Sequence, residues 1–182
     1  MQKRSHKLLA QTLLDSYDGF EKKRFEVAFL FGSFQPDCNP LSYLKGSLRA
    51  KKLMGHNFSN SQRYIYRHIL SLQRRHQWNL WQYYTLGKLT HYLADAFTYP
   101  HNDTYPDSLM DHRRYEDHLR RQFALYLADR RVYPARARGN VVFAISQLHR
   151  QYLTAASDWQ RDARFILLAN DLLLASVLPQ AA

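Results

Sequence analysis

Two pairs of ligand-type side chains at helical spacing constrain the fold of this chain more than any other feature. His91 and Asp95 are four residues apart. The same spacing separates His112 from Glu116, so each pair would project from one face of a helix, one turn apart. Between the pairs, His101 directly follows a proline, in a stretch that cannot easily continue a helix. The pattern therefore predicts two helices joined by a short break.

Imidazoles and carboxylates are the groups that hold zinc and similar divalent ions in proteins. His91 and Asp95 lie in the apolar segment LTHYLADAF, where burial is costly for both groups unless they are paired or bound to a cation. A metal ion would offset that cost, and a plain hydrogen bond between the two side chains is the structural alternative. The second pair lies in the more polar segment MDHRRYEDHL. The isolated histidines are interpreted as ordinary polar or core residues: His68, His76, His118 and His149.

Length and composition favour one all-α domain. A chain of 182 residues is long enough for one core and short for two, so residues 1–182 are predicted to form a single domain. Six glycines and six prolines are few for this length, which favours helices over a β architecture with many turns. Apolar spacing predicts six to eight helices, with the main segments at residues 5–17, 21–30, 60–76, 78–97, 107–127, 140–154 and 158–178. A break is predicted at Phe31-Gly32-Ser33, followed by a loop over residues 35–40.

Charge and the absence of targeting signals bound the partners and the location. The formal net charge is +11, which favours phosphate esters, nucleic acid or anionic lipid surfaces as partners, although basic side chains can also simply solvate helix faces. Cys38 is the single cysteine, so a disulfide framework and a cysteine-based zinc site are excluded. No signal peptide is recognised at the start of the sequence, and no uncharged apolar run reaches transmembrane length. The sequence therefore predicts a cytoplasmic protein without a transmembrane segment.

The segment HYLADAFTYPHN followed by DHRRYE resembles the central signature of the bacterial zinc-dependent phospholipase C family. That family has an H-x₃-D step on one helix, a histidine just after a proline, and an H-x₃-E pair preceded by tyrosine. Upstream, the segments GSFQPD and GHNF are similar to the family's loop aspartate and to a histidine about twenty residues later, which here are Asp37 and His56. A further family histidine near the start of the first helix fits His6. Single-strand-specific zinc nucleases share the same all-α, three-metal scaffold.

The resemblance implies a cluster of two or three Zn²⁺ ions. One ion would be held by Asp37, His56, His91 and Asp95, a second by His101, His112 and Glu116, and a third by His6 and a bridging Asp95. In the family, the N-terminal amine and carbonyl of the processed chain complete the third site. Here no tryptophan begins the chain, and a helix beginning near Ser5 argues against Met1 reaching that site, so two ions and three ions both stay open.

The leading hypothesis is a metal-dependent phosphodiester hydrolase of the phospholipase C type, in which a metal-bound hydroxide attacks phosphorus in line. The resemblance makes Asp37 the candidate general base, and a role as a ligand alone is the equal alternative. The expected partner is an anionic phosphoester, either a phospholipid or a nucleotide or nucleic acid. A single-strand nuclease or nucleotidase is the alternative, supported by the positive charge and the many aromatic residues. A non-catalytic metal-binding protein is the third hypothesis, although a second site with only three protein ligands favours catalysis.

Overall fold

A computed structural model describes residues 1–38, 58–102, 105, 109–128 and 139–178 of the chain. Within those residues it contains seven α-helices and no β-strand, which confirms the predicted all-α class. A short 3₁₀ turn, Tyr99–His101, follows the fourth helix. The helices are α1 Lys3–Ser16, α2 Lys23–Cys38, α3 Phe58–Gln73, α4 Leu80–Ala96, α5 Leu109–Ala128, α6 Val141–Thr154 and α7 Trp159–Val177.

Helix α4 is the central element of the structure, and α1, α2, α3 and α7 all pack against it. A capping box begins the helix: the Asn79 side chain accepts a hydrogen bond from the Trp81 N–H at 2.8 Å, and the Gln82 side chain accepts one from the Asn79 N–H at 3.0 Å. Every residue from Leu89 to Thr98 is buried, so the second half of α4 has no solvent face. Polar side chains in this half of the helix are therefore buried in the interior of the protein.

Helix α2 differs from the prediction. The predicted break at Phe31-Gly32-Ser33 was wrong, and so was the predicted loop for residues 35–38, because α2 continues through Gly32 and Pro36 to Cys38. The last two residues of the predicted loop, 39 and 40, lie outside the described residues. Asp37 therefore lies in the last turn of a helix, whereas the resemblance had placed it in a loop. Local propensity favoured a break here, and tertiary packing on α4 overrides it.

The reason for the glycine in α2 is a close approach between α2 and α4. A Cβ atom added to Gly32 would lie 2.2 Å from the carbonyl oxygen of Tyr84 on α4. The reciprocal contact is equally close: a Cβ atom added to Gly87 on α4 would lie 2.1 Å from the carbonyl oxygen of Phe29 on α2. Both contacts are with backbone atoms, which cannot rotate away. The two glycines therefore let the backbones of α2 and α4 come together.

One predicted ligand, His56, falls outside the described residues. Among the helices that the structure describes, none has both the length and the apolar character needed to cross a lipid bilayer.

We expect Gly87→Ala to lower the free energy of unfolding by roughly 1–3 kcal/mol or more, because the new methyl group meets backbone atoms of α2 and forces the helices apart. Urea denaturation followed by circular dichroism measures this change. The matched control is Val27→Ala, which removes an exposed side chain from α2 and should leave stability within about 0.5 kcal/mol. Equal stability of the Gly87→Ala protein and the natural one would contradict the close approach.

Candidate metal centre

The first group of ligand-type side chains joins helices α1 and α4 in the interior. His6 lies in the first two turns of α1, and His91 and Asp95 are one turn apart on α4. Their potential ligand atoms all lie within 4.8 Å of one another, and all three residues are buried. The His6 and His91 rings stack with their centroids 3.8 Å apart. Three groups that have no solvent access thus converge on one point.

Hydrogen bonding orients His91 towards that point. Its Nδ1 atom lies 2.9 Å from the Ser33 carbonyl oxygen, and since a carbonyl can only accept, Nδ1 carries the proton and donates. The Nε2 lone pair then faces Asp95, whose Oδ2 atom lies 3.2 Å away. A backbone carbonyl that fixes the tautomer of a metal-binding histidine is a recurrent arrangement in metal sites.

Asp37 reaches the same group from the end of α2. Its carboxylate oxygens lie 3.7 Å from Nε2 of His91 and 3.9 Å from Nε2 of His6. Its side chain is 14% exposed, whereas those of Asp95 and His91 are fully buried. Asp37 therefore lies on the edge of the group that is closest to solvent.

The second group joins the 3₁₀ turn to α5. Nε2 of His101 lies 3.0 Å from Oε1 of Glu116, and Nε2 of His112 lies 3.2 Å from the same oxygen. The ligand atoms of these three residues also lie within 4.8 Å of one another, and each residue is partly exposed. His101 links the two groups, because its Nε2 atom is 3.9 Å from Oδ1 of Asp95.

The amine of Met1 lies between the two groups. Its nitrogen is 2.7 Å from Oδ1 of Asp95, 2.8 Å from Nε2 of His101 and 2.8 Å from Oε1 of Glu116. Burial alone would lower the pKa of this amine, but Asp95 and then Glu116 raise the pKa to about 11. The centre thus holds a cationic group between its two carboxylates.

The sequence left open whether Met1 reaches the site, and in the structure its amine lies there. Helix α1 begins at Lys3, and its N-cap residue Gln2 has an extended backbone with φ −74° and ψ 148°. The chain therefore leaves the helical path before Lys3, and Met1 is buried in the interior near His6.

Protonation states in the centre suit metal binding. Burial, followed by the neighbouring His91, lowers the pKa of His6 to about 3, so its ring is neutral at neutral pH. Burial alone would raise the pKa of Asp95, but the Met1 amine and His101 hold it well below its ordinary value. Burial would likewise raise the pKa of Glu116, and the Met1 amine and hydrogen bonds from the histidines lower it. Neutral imidazoles and ionised carboxylates are the forms that bind metal ions.

The donor set also fits zinc on structural grounds. His6 is fully buried, yet within the described part of the chain neither of its ring nitrogens makes a well-formed hydrogen bond, although Nε2 lies 3.2 Å from Oδ1 of Asp95. Burying a polar group without such a partner costs free energy, and a coordinated cation would offset that cost. Imidazole nitrogens and carboxylate oxygens are both ordinary zinc ligands. Of the eight residues predicted from the sequence, the structure brings seven together, and His56 lies outside the described residues.

Comparison with known proteins gives one family. The sequence profile described as zinc dependent phospholipase C matches residues 5–159 of the 182-residue chain. The chain belongs to the zinc-dependent phospholipase C family. Searches of curated proteins and of solved structures return no significant match. Family membership supports a metal-dependent, phospholipase-like function with zinc as the metal.

Asp162, which lies beyond the residues matched by the family, holds the segments that carry the second ligand group. Asp162, in the first turn of α7, is completely buried. Its Oδ2 atom accepts hydrogen bonds from the Tyr99 backbone N–H at 2.9 Å and from the Tyr115 hydroxyl at 2.8 Å. Its Oδ1 atom accepts from the Tyr152 hydroxyl at 2.8 Å and from Arg161 at 3.0 Å.

These hydrogen bonds connect α7 to the two segments that carry the second group, the 3₁₀ turn and helix α5. Tyr99 begins the turn that ends at His101, and Tyr115 directly precedes Glu116 on α5. Asp162 therefore fixes the turn relative to the helix. Sequence analysis missed this residue because an acidic side chain in the first turn of a helix is also favoured by the helix dipole alone.

His149 and Asn102 hold the other side of the same turn. The Asn102 side-chain amide donates to the carbonyl oxygens of Ala96 and Thr98, at 3.1 and 3.0 Å. The His149 Nε2 atom donates to the Ala96 carbonyl at 3.1 Å and lies 3.0 Å from the Asn102 side-chain oxygen. The interpretation of His149 as a core histidine is confirmed, and it stabilises the residue next to His101.

We expect Asp162→Asn to weaken metal binding at the second group by roughly 10- to 100-fold, because outer partners of ligand-bearing segments affect metal affinity to that extent. Chelator competition with elemental analysis measures the loss, and the ion at the first group should be retained. The control is Arg164→Gln on the exposed face of α7. Equal loss of ions from both groups would show general destabilisation and would contradict a specific positioning role.

Proposed function

We propose that this protein is a zinc-dependent phosphodiester hydrolase of the phospholipase C type. The observation that carries the proposal is the juxtaposition of two ligand groups, His6–His91–Asp95 and His101–His112–Glu116, in a member of this family. The second group offers three partly exposed protein ligands, which leaves room for water and substrate. We also propose that residues 1–182 form one domain, since α7 packs on α3, α4, α5 and α6 although most of it lies beyond the family match. The cytoplasmic location stays a prediction.

Asp95 and Asp37 would have different roles in the reaction. Asp95 would bridge the two groups, because Oδ2 faces His91 while Oδ1 faces His6 and His101. Zinc bound to the cluster would polarise the phosphoryl oxygens, lower the pKa of a water molecule towards neutrality and stabilise the leaving oxygen. Asp37 is the carboxylate at the solvent edge of the first group, which supports the proposal that it accepts a proton from water there.

The substrate class is proposed to be phospholipid, on the strength of the family. The phosphodiester of a phospholipid is anionic, and the formal net charge of +11 favours its approach. A partly exposed second group is also accessible to a phosphodiester that cannot enter the closed interior around His91.

We expect His112→Ala to lower kcat/KM for phosphodiester hydrolysis roughly a thousandfold or more, because metal ions contribute several kcal/mol to such reactions. The measurement is release of phosphorylated headgroup from phospholipid in detergent micelles, with zinc added. His118→Ala, an exposed histidine on the same helix, is the control and should keep its activity. Full activity in the His112→Ala protein would contradict the proposal, as would cleavage of single-stranded oligonucleotides in place of phospholipid.

We expect elemental analysis of the purified protein to give at least two zinc ions per chain, one for each group. Asp37→Asn separates the two roles of Asp37: a protein that keeps its zinc but loses activity has lost a base, and one that loses zinc has lost a ligand. His68→Ala, on α3, is the control and should change neither quantity. A ratio of one zinc ion or none in the natural protein would contradict a two-group centre.

A further inference from the structure

A patch of aromatic side chains lies on the outer surface of helices α2 and α4. The patch, here called the aromatic patch, consists of Phe31, Phe34, Trp81 and Tyr84. Trp81 is 69% exposed and Phe31 is 50% exposed. The rings contact one another: Trp81 stacks on Tyr84 at 5.3 Å between centroids, and Phe31 lies 6.0 Å from Tyr84 and 5.6 Å from Phe34.

Lysines of α1 border the aromatic patch. The Nζ atom of Lys7 lies 4.4 Å from the centre of the Phe34 ring, and that of Lys3 lies 5.0 Å from it. Both lysines are exposed. Their charges therefore lie beside the exposed rings, an arrangement in which the aromatic faces and the cations face solvent together.

The patch and part of the metal centre lie on the same two helices, α2 and α4. Tyr84 and His91 are seven residues apart, on one side of α4, and Phe34 is one turn before Asp37 on α2. The helical rise puts Trp81 about 15 Å from His91 along the axis of α4. The Tyr84 hydroxyl joins the two helices by donating to the Gln35 side chain at 3.0 Å.

Other exposed hydrophobic side chains do not share this arrangement. Leu125 on α5 and Phe143 on α6 are 66% and 59% exposed, and neither has a described ring contact with another exposed aromatic residue or a described cation over it. Scattered exposed hydrophobic residues are normal in soluble proteins, whereas a contiguous patch with a basic border marks an interaction surface.

We propose that the aromatic patch, together with Lys3 and Lys7, binds the surface of a bilayer that contains anionic phospholipid. Tryptophan and tyrosine are favoured at the boundary between lipid headgroups and acyl chains, because one part of each ring system is apolar and another forms hydrogen bonds. Each lysine near an anionic membrane adds electrostatic attraction to the lipid headgroups. This inference rests on the proposed function in one respect: a phospholipid substrate lies in such a surface, and the patch would bring the metal centre to it.

The test is sedimentation of the purified protein with two kinds of vesicle, phosphatidylcholine alone and phosphatidylcholine mixed with phosphatidylglycerol. We expect Trp81→Ala to weaken binding roughly tenfold on both, from the loss of buried apolar area. Lys3→Gln combined with Lys7→Gln should weaken binding roughly tenfold or more on the anionic vesicles alone, and added salt should have the same effect.

Two matched controls separate the surface from general effects. Leu125→Ala and Phe143→Ala remove exposed side chains of similar size elsewhere, and Arg150→Gln with Arg164→Gln removes two exposed charges. All of these should bind vesicles like the natural protein. Trp81→Phe supplies a spectroscopic check: vesicles should shift the tryptophan emission of the natural protein to the blue, and this variant should bind while losing most of the shift.

Three results would overturn the proposal. The first is equal vesicle binding by the patch variants and their controls. The second is that the protein binds a single-stranded oligonucleotide but not vesicles, and that Trp81→Ala abolishes the oligonucleotide binding. The third is that the protein does not bind vesicles but forms a dimer, and that Trp81→Ala dissociates this dimer.

Sedimentation does not require hydrolysis, so the surface and the proposed function can fail separately. Patch-dependent vesicle binding by a protein that hydrolyses no phosphodiester would refute the proposed function and support the surface. Hydrolysis of a water-soluble phosphodiester, with vesicle binding that does not depend on the patch, would support the proposed function and refute the surface.

Discussion

The ionised carboxylate of Asp95, fully buried in the middle of helix α4, is the constraint on which the rest of the structure depends. A buried charge is tolerated only when other groups compensate it. Here the compensation comes from distant parts of the chain: the cationic Met1 amine from its beginning, 2.7 Å away, and His101 from the 3₁₀ turn. Packing α1 and the turn against α4 is therefore required by electrostatics as well as by the hydrophobic core.

Further contacts hold the elements that surround this carboxylate. The paired glycines Gly32 and Gly87 bring α2 close enough for Ser33 to accept a hydrogen bond from His91. On the opposite side, Asp162 is a second buried carboxylate, and its hydrogen bonds hold the turn and α5. Two buried acids thus support the two ligand groups: Asp95 contacts the ligands directly, and Asp162 holds the segments that carry the second group.

The exposed surface follows from the same arrangement. Because the outer faces of α2 and α4 lie side by side, Phe31 and Trp81 share one patch although they are fifty residues apart in the sequence. Helices α2 and α4 thus carry both the patch and three residues of the metal centre, Asp37, His91 and Asp95.

The sequence by itself determined the all-α class and the two ligand pairs, because residues four apart on a helix must lie on the same face whatever the tertiary structure. The remaining features depend on contacts between distant residues. Gly32 is compatible with either a helix break or a close helix contact, and only its neighbour Gly87 decides between them. Local sequence left open whether Met1 reaches the site, and the extended backbone at Gln2, just before α1, is followed by an amine that lies 2.7 Å from Asp95 only because α1 packs on α4. The role of Asp162 depends on Tyr99, more than sixty residues earlier, which no local pattern can indicate.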